Sequence, residues 1–180
     1  EYAKILLGKE NPTVGLLNIG EEATKGNDVV LATYPILERM KIINFKGNIE
    51  GRDIPKGTVD VVVCDGFVGN VVLKFAEGLV TGLTQLVKDS IMAGSIFAKI
   101  GAMLVKPALK KMAKRLDHTE NGGAPLLGVN GLFMISHGSS KAKEIKTAIK
   151  IATDLVERKI IEQIRQTVEI EGAVKYEYDE

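Results

Sequence analysis

Residues 58–64, TVDVVVC, form a nearly continuous apolar run of the kind that a strand shows when both of its faces are buried. Two earlier runs, TVGLLNIG at 13–20 and INFKGNI at 43–49, also read as strands. Helices are predicted at 28–40, where Pro35 should bend the helix or end its first half, and at 71–88. Strands that alternate with helices join through crossovers into a parallel sheet. The sequence therefore predicts an α/β protein with a mainly parallel sheet.

Composition and missing motifs exclude several classes of protein. The 180 residues carry a net charge of +1, with 5% aromatic residues and no Trp, which argues against a nucleic-acid partner. Cys64 is the only cysteine and there are two histidines, so an internal disulfide is impossible and a zinc site is not expected. We expect Cys64 to be a small buried side chain in a reducing cytoplasm. The phosphate-binding loop G-x-x-x-x-G-K-[ST], a dinucleotide fingerprint and a G-x-S-x-G elbow are absent.

The two ends of the chain carry separate predictions. The chain starts with Glu1, and its first residues, EYAKILLG, read as the end of an amphipathic helix. We therefore expect residues 1–180 to be the C-terminal part of a longer protein. The last residues, VKYEYDE, are expected to fray.

An apolar segment beside a basic cluster stands apart from the sheet pattern. Residues 91–105, IMAGSIFAKIGAMLV, contain one charge and are too short to span a bilayer, which takes about 20 apolar residues. The basic residues that follow are Lys106, Lys110, Lys111, Lys114 and Arg115. Two interpretations stay open: a contact lying on a membrane surface, or a helical hairpin buried in a dimer interface. The predicted hairpin covers residues 88–116.

The rest of the chain predicts a further strand and helix. A loop at 121–125 precedes a strand at 126–136, LLGVNGLFMIS, and a turn at 137–140. A single long helix then runs to about residue 168, with apolar residues at helical spacing. Ser139 or Ser140 is its candidate N-cap residue.

Four ends of the predicted strands carry small polar loops. In an open α/β sheet, ligands bind outside the carboxyl ends of the strands, so the four loops should gather around one ligand site. The loops are Asn18-Ile19-Gly20 with Glu22, Lys25, Gly26 and Asn27; Gly47-Asn48 with Arg52; Asp65-Gly66-Phe67-Val68-Gly69-Asn70; and His137-Gly138-Ser139-Ser140.

The residue types in these loops favour an anionic ligand. Gly66 and Gly69 let the backbone approach closely, and a helix that begins near Asn70 offers unpaired N–H groups. Lys25 and Arg52 supply full positive charges.

Each of these features also has a purely structural interpretation. Asn70 and Ser139 can simply cap helices, whereas Lys25 and Arg52 can be solvated surface charges. Asp65 can fix its turn by accepting hydrogen bonds from backbone N–H groups, which is its favoured role. His137 is either a general base or, by preference, a structural histidine. These alternatives stay open on the sequence alone.

Five long motifs identify the family that the chain resembles. They are VGLLNIGEEATKGND, INFKGNIEGRD, DVVVCDGFVGNVVLK, NGGAPLLGVNG and SHGSSKAKEIKTAIK, and they cover the chain from about residue 11 to residue 170. With them the chain resembles the bacterial phosphate acyltransferases of phospholipid synthesis, the PlsX family. The resemblance implies Rossmann-like layers similar to those of phosphate acetyltransferases and isocitrate-type dehydrogenases.

The resemblance also implies an activity and partners. The enzyme would move a long acyl chain from acyl carrier protein to inorganic phosphate, as a cytoplasmic homodimer in peripheral contact with an anionic membrane. Family members are about twice as long as this chain. The segment at 91–105 would supply the membrane contact, and the basic cluster is a candidate surface for acyl carrier protein or lipid. The membrane-contact residues expected from this are Ile96, Phe97, Ile100 and Leu104.

This chemistry assigns roles to the loop residues. A thiolate leaves readily, because the free thiol has a pKa of about 8.5, and phosphate is already ionised at neutral pH. The site therefore mainly has to hold the phosphate and stabilise an oxyanion. Lys25 and Asn70 are the expected catalytic residues, with no metal, no cofactor and no covalent enzyme intermediate. The residues expected to bind phosphate or substrate are Asn18, Gly26, Asn27, Asn48, Arg52, Asp65, Gly66, Gly69, His137 and Ser139.

Three other functions remain alternatives. A short-chain acyltransferase that uses coenzyme A would have no use for a membrane contact. A non-catalytic scaffold on the membrane surface needs no complete cleft. A metal-dependent dehydrogenase needs clustered Asp ligands, whereas the acids of this chain are scattered.

Overall fold

The chain was analysed as a computed structural model, which describes residues 1–116, 122–138 and 140–172. It divides into two compact units. The sheet unit is Leu6–Ala93, and the second unit holds residues 1–5 with the described residues from 94 onward. Helix α1, Tyr2–Leu7, precedes the first strand.

A three-stranded parallel sheet forms the core of the sheet unit. Strands β1, Thr13–Asn18, β2, Asn44–Glu50, and β3, Val61–Val63, lie in the order β2-β1-β3, with both pairings parallel. The α/β class and the parallel sheet predicted from the sequence are therefore confirmed. The central strand β1 is buried from its second residue to its last, as its uninterrupted apolar run predicts.

The edge strands are less regular than the central one. The register between β1 and β2 shifts between Val14 and Leu16, which pair with Phe45 and Asn48. Gly47, with a φ of +89°, adopts the backbone conformation that this bulge needs. The prediction of a third strand buried on both faces is wrong: β3 spans three half-buried residues, because it lies at an edge of this sheet.

Helices connect the strands of the sheet unit. Helix α2, Asp28–Arg39, follows β1 and continues through Pro35, so the proline does not end it. A short 3₁₀ helix, Gly51–Lys56, follows β2. Helix α3, Gly66–Ala93, follows β3 and starts five residues earlier than the predicted 71. The predicted helix start is therefore wrong, and the difference matters for Asn70.

The second unit differs from its prediction in two places. Helix α4, Ile96–Leu116, is followed by a two-residue antiparallel pair, β4, Ala124–Pro125, with β5, Met134–Ile135. The predicted strand at 126–136 is therefore wrong, because a loop separates the two short strands. The predicted long helix is instead two helices, α5, Ala142–Glu157, and α6, Ile160–Gly172. The break falls at Lys159, whose φ of +54° cannot continue a helix.

Some predictions lie outside this description. The hairpin expected over residues 88–116 stays a prediction. Ser139 and the tail at 174–180 lie outside the described residues, and so do the side chains of Lys110, Lys114 and Arg115. The other N-cap candidate, Ser140, is not the cap, because the N-cap residue of α5 is Lys141.

Candidate functional site

An open cavity lies at the carboxyl edge of the parallel sheet. The three strands run in the same direction, so the loops that follow them leave from one edge. The cavity has a volume of about 640 Å³. Its lining residues are Leu16, Leu17, Asn18, Ile19, Gly26, Asn27, Val29, Val30, Thr33, Gly51, Val63, Cys64, Asp65, Val68 and Val72.

Four of the predicted site residues line this cavity: Asn18, Gly26, Asn27 and Asp65. Asn27 is the N-cap residue of α2, and its Oδ1 accepts a hydrogen bond of 3.0 Å from the backbone N–H of Val30. This bond satisfies one of the N–H groups that a helix start leaves unpaired. Asn27 therefore has a structural role that the sequence analysis did not assign to it.

Asp65 occupies the start of α3. Its Oδ1 accepts hydrogen bonds of 2.9 Å from the backbone N–H groups of Phe67 and Val68, and its carbonyl accepts one of 2.9 Å from Gly69. The favoured prediction that Asp65 fixes the turn is confirmed. A carboxylate therefore accepts hydrogen bonds from two of the N–H groups at the observed start of this helix.

Gly66, Gly69 and Asn70 belong to α3 itself, outside the cavity lining. The prediction that the helix begins near Asn70 is wrong, because Asp65 caps it at Gly66. Asn70 is exposed in the second turn of the helix. A Cβ atom added to Gly69 would lie 3.0 Å from Sγ of Cys64, so the glycine lets the helix start pack against the end of β3.

The two predicted cations lie outside the cavity lining. Lys25 is exposed in the loop between β1 and α2. Arg52 points its guanidinium group at Glu50, with Nε 2.9 Å and Nη2 3.1 Å from the two carboxylate oxygens. An exposed pair of this kind contributes about 0–1 kcal/mol. Glu50 therefore competes weakly with any anion for Arg52.

Asn18 and Asn48 are buried on neighbouring strands. Asn18 ends β1, as predicted, but Asn48 lies inside β2. The strand predicted at 43–49 is confirmed by β2, which continues past the Gly47 bulge to Glu50, so Gly47 and Asn48 lie within the strand and not in a loop. The Nδ2 atoms of Asn18 and Asn48 donate hydrogen bonds of 2.9 Å to the carbonyls of Lys25 and Glu22.

His137 belongs to the second unit, where its carbonyl accepts a hydrogen bond of 2.9 Å from the N–H of Ser140. Its side chain is exposed. The fourth predicted loop lies in the second unit, and its contribution to the site stays a prediction. Ser139, in the same loop, lies outside the described residues.

Cys64 is half-buried, not fully buried as predicted, and its surroundings disfavour the thiolate. Burial raises its pKa, and the neighbouring carboxylate of Asp65 raises it further. A raised pKa reduces the thiolate fraction at neutral pH, and the thiolate is the reactive form. The prediction that Cys64 forms no covalent intermediate stays a prediction.

Sequence reasoning missed the apolar lining of the cavity. The lining includes four valines, which are Val29 and Val30 of α2 and Val68 and Val72 of α3. The apolar positions of both helices could have indicated this wall, but the site was predicted from polar loop residues alone. Within residues 1–116, 122–138 and 140–172, no group of three His, Cys, Asp or Glu side chains could hold a metal ion.

Comparison with known proteins gives the family. The family described as "Fatty acid synthesis protein" matches residues 1–163. The chain belongs to this family.

Three curated relatives are each named "Phosphate acyltransferase". The relative from Desulfitobacterium hafniense (strain DSM 10664 / DCB-2) is 56% identical over 166 residues, which are 92% of this chain and 49% of the relative. That from Pelotomaculum thermopropionicum is 54% identical over 175 residues, 96% of this chain and 51% of the relative. That from Synechococcus elongatus is 48% identical over 168 residues, 93% of this chain and 48% of the relative. The chain thus spans about half the length of these relatives.

The helices after the sheet expose apolar side chains. The four residues expected to contact a membrane, Ile96, Phe97, Ile100 and Leu104, are all exposed on α4. By length and composition alone, α3 is the one described helix that could cross a membrane. Because a core helix passes the same test, this finding does not assign α3 to a membrane.

Proposed function

We propose that this chain is part of an enzyme that transfers a long-chain fatty acyl group from acyl carrier protein to inorganic phosphate. The product, an acyl phosphate, would supply phospholipid synthesis. The observation that carries the proposal is the 56% identity to a protein named phosphate acyltransferase, over 92% of this chain. Because the chain spans about half of that relative, we infer that a further part of the protein completes the site.

The proposed reaction joins a phosphate oxygen to the thioester carbonyl carbon. A tetrahedral oxyanion forms, the C–S bond then breaks, and the thiolate leaves and takes a proton from water. Such a reaction needs orientation of the phosphate and stabilisation of the oxyanion more than acid or base catalysis. We assign the positive charge to Lys25 and an amide donor to Asn70, both of which are exposed to solvent in this chain.

The cavity supports an acyl substrate. Its wall is largely apolar, with valine side chains from α2 and α3, whereas Asn18, Asn27 and Asp65 lie among the polar residues of the lining. Binding sites for small molecules combine apolar walls with a few placed polar groups in this way. We propose that the acyl chain contacts this wall and that its thioester end lies toward the loop of Lys25.

The activity is tested with the full-length protein, long-chain acyl carrier protein and inorganic phosphate. We expect acyl phosphate, and we expect Lys25→Ala or Asn70→Ala to lower turnover by about 10²-fold, the usual effect of losing one oxyanion contact. Lys41→Ala, at an exposed lysine just after α2, is the matched control. If only short-chain acyl-coenzyme A gives product, coenzyme A and not acyl carrier protein carries the acyl group. If both variants keep full activity, Lys25 and Asn70 do not belong to the site.

The proposal includes a cytoplasmic homodimer that contacts an anionic membrane peripherally through α4. Exposed apolar side chains beside Lys106 and Lys111 suit such a surface. We expect the double substitution Ile96→Asp with Leu104→Asp to weaken sedimentation with anionic liposomes while the activity in solution persists. Ile149→Asp, at an equally exposed isoleucine of α5, is the control. Unchanged sedimentation of the double variant would assign α4 to a protein contact instead.

A further inference from the structure

Two buried asparagines hold the loop that carries Lys25. Asn18 at the end of β1 and Asn48 within β2 are 8% and 7% exposed, and they are the buried polar residues of the described chain. Burying an amide costs free energy unless its groups are hydrogen-bonded. The partners of these two side chains therefore indicate what the asparagines do.

The partners are the two ends of one turn. Nδ2 of Asn48 donates to the carbonyl of Glu22, and Nδ2 of Asn18 donates to the carbonyl of Lys25, both at 2.9 Å. The Glu22 carbonyl also accepts a hydrogen bond of 3.1 Å from the N–H of Lys25, which closes the turn. Oδ1 of Asn18 accepts one of 2.8 Å from the N–H of Ile19, which fixes the beginning of the loop. The rigid sheet thus holds the turn at both ends.

The side chain of Lys25 lies close to Gly20. A Cβ atom added to Gly20 would lie 3.3 Å from Cγ of Lys25 and 2.7 Å from Oε2 of Glu22. The stem of Lys25 therefore lies against the glycine, while the residue as a whole is exposed. Backbone and stem together restrict the directions in which the ammonium group can point.

We propose that Asn18 and Asn48 are positioning residues, which hold the Glu22–Lys25 turn on the sheet so that the Lys25 ammonium group meets the phosphate. This role rests on the proposed function of Lys25, and it replaces the direct contact with phosphate expected for both asparagines. Each side chain already donates one of its two Nδ2–H groups to a carbonyl of the loop. Oδ1 of Asn48, buried without a hydrogen-bond partner in the described part of the chain, is an acceptor and cannot bond an ionised phosphate oxygen.

Steady-state kinetics of the full-length protein separate positioning from binding. We expect Asn48→Ala to lower kcat by about 10- to 100-fold, the effect of a small misplacement, with little change in the KM for phosphate. In a Lys25→Ala background the same substitution should change kcat by less than about twofold, because the group that it positions is gone. Asn44→Ala, in the same strand but with only a 3.5 Å contact to the Asn11 carbonyl, is the control and should match the parent protein.

Hydrogen exchange tests the loop without relying on activity. The N–H of Lys25 should exchange about fivefold faster in Asn48→Ala than in Asn44→Ala, the effect of losing one hydrogen bond of ordinary strength. If Asn48→Ala does not fold, Gly20→Ala tests the same idea from the loop, because its Cβ displaces the Lys25 stem. It should lower kcat in the parent protein and leave kcat unchanged in Lys25→Ala.

The outcomes distinguish this inference from the proposed function. A higher KM for phosphate at unchanged kcat in Asn48→Ala, with the turnover of Lys25→Ala still lowered by about 10²-fold, would overturn positioning and leave the role of Lys25 intact. An equal loss of kcat from Asn48→Ala in both backgrounds, or an unchanged exchange rate for Lys25, would also overturn it. Full activity of Lys25→Ala would overturn the role of Lys25, and positioning with it.

Discussion

Replacing Gly26 by alanine should destabilise the sheet unit far more than a loop substitution normally does. Gly26 has a φ of +112°, which L residues rarely adopt. A Cβ atom there would also lie 2.7 Å from Oδ1 of Asn18 and 2.9 Å from Cβ of Val30. The amide of Asn18 is held by hydrogen bonds to Ile19 and Lys25, and Cβ of Val30 is fixed to the backbone of α2, so the loop or α2 must move.

The expected cost has two parts. The positive φ costs about 1–2 kcal/mol for a residue with a Cβ atom, and overpacking against Asn18 and Val30 adds about 1–3 kcal/mol. The free energy of unfolding should therefore fall by about 2–5 kcal/mol in Gly26→Ala. Gly57→Ala measures the cost of a positive φ alone, because Gly57 has a φ of +66° and nothing lies within 4 Å of the added Cβ atom. Gly66→Ala, with open space and no positive φ, should be neutral or stabilising by up to about 1 kcal/mol.

Urea unfolding followed by circular dichroism measures the three variants against the parent protein. The order of loss should be Gly26→Ala, then Gly57→Ala, then Gly66→Ala, at an unchanged dependence on urea concentration. A loss in Gly26→Ala no greater than that in Gly57→Ala would refute the reasoning, since the close contacts would then cost nothing. The expected order would assign Gly26 to packing against Asn18 rather than to an approach of the backbone to an anion.

Two predictions concern protonation. Hydrogen bonds from Lys9 and from Thr13 lower the pKa of Asp60 from 3.8 to about 2, so its charged form stabilises the fold above about pH 4 and this contribution is lost as the pH falls toward 2. Asp60→Asn should therefore unfold more readily than the parent protein at pH 7 but not at pH 2, and a difference independent of pH would contradict this. Burial and Asp65 raise the pKa of Cys64, so alkylation by iodoacetamide should need a higher pH in the folded protein than in urea. Coincident pH profiles would contradict the raised pKa.

Local pattern predicted the central part of the fold well. Both β1 and α2 could be predicted from the sequence. An apolar run indicates the strand and the spacing of apolar residues indicates the helix, because both patterns are properties of neighbouring residues. The start of α3 was misplaced, since the acid that caps it, Asp65, looked like part of a ligand loop. The strand predicted at 126–136 failed because an apolar stretch does not reveal where a chain reverses.

The candidate site was predictable as a place but not as a set of contacts. Polar loops after parallel strands must meet at one edge of a sheet, and the cavity lies at that edge. The apolar wall of the cavity was missed, because Val30 and Val72 are distant in sequence and line the same cavity only in the folded chain.

The sequence by itself determined the α/β class, the parallel strands and the family, because strand runs, helix spacing and long motifs are written along the chain. Only the tertiary structure decided what the polar residues do. Asn48 reaches a carbonyl 26 positions away, at Glu22, and Asp65 satisfies the donors of a helix start. The physical reason is that a buried amide or a carboxylate takes whichever partner the fold brings within about 3 Å. That partner is set by the packing of strands and loops, which no local pattern records.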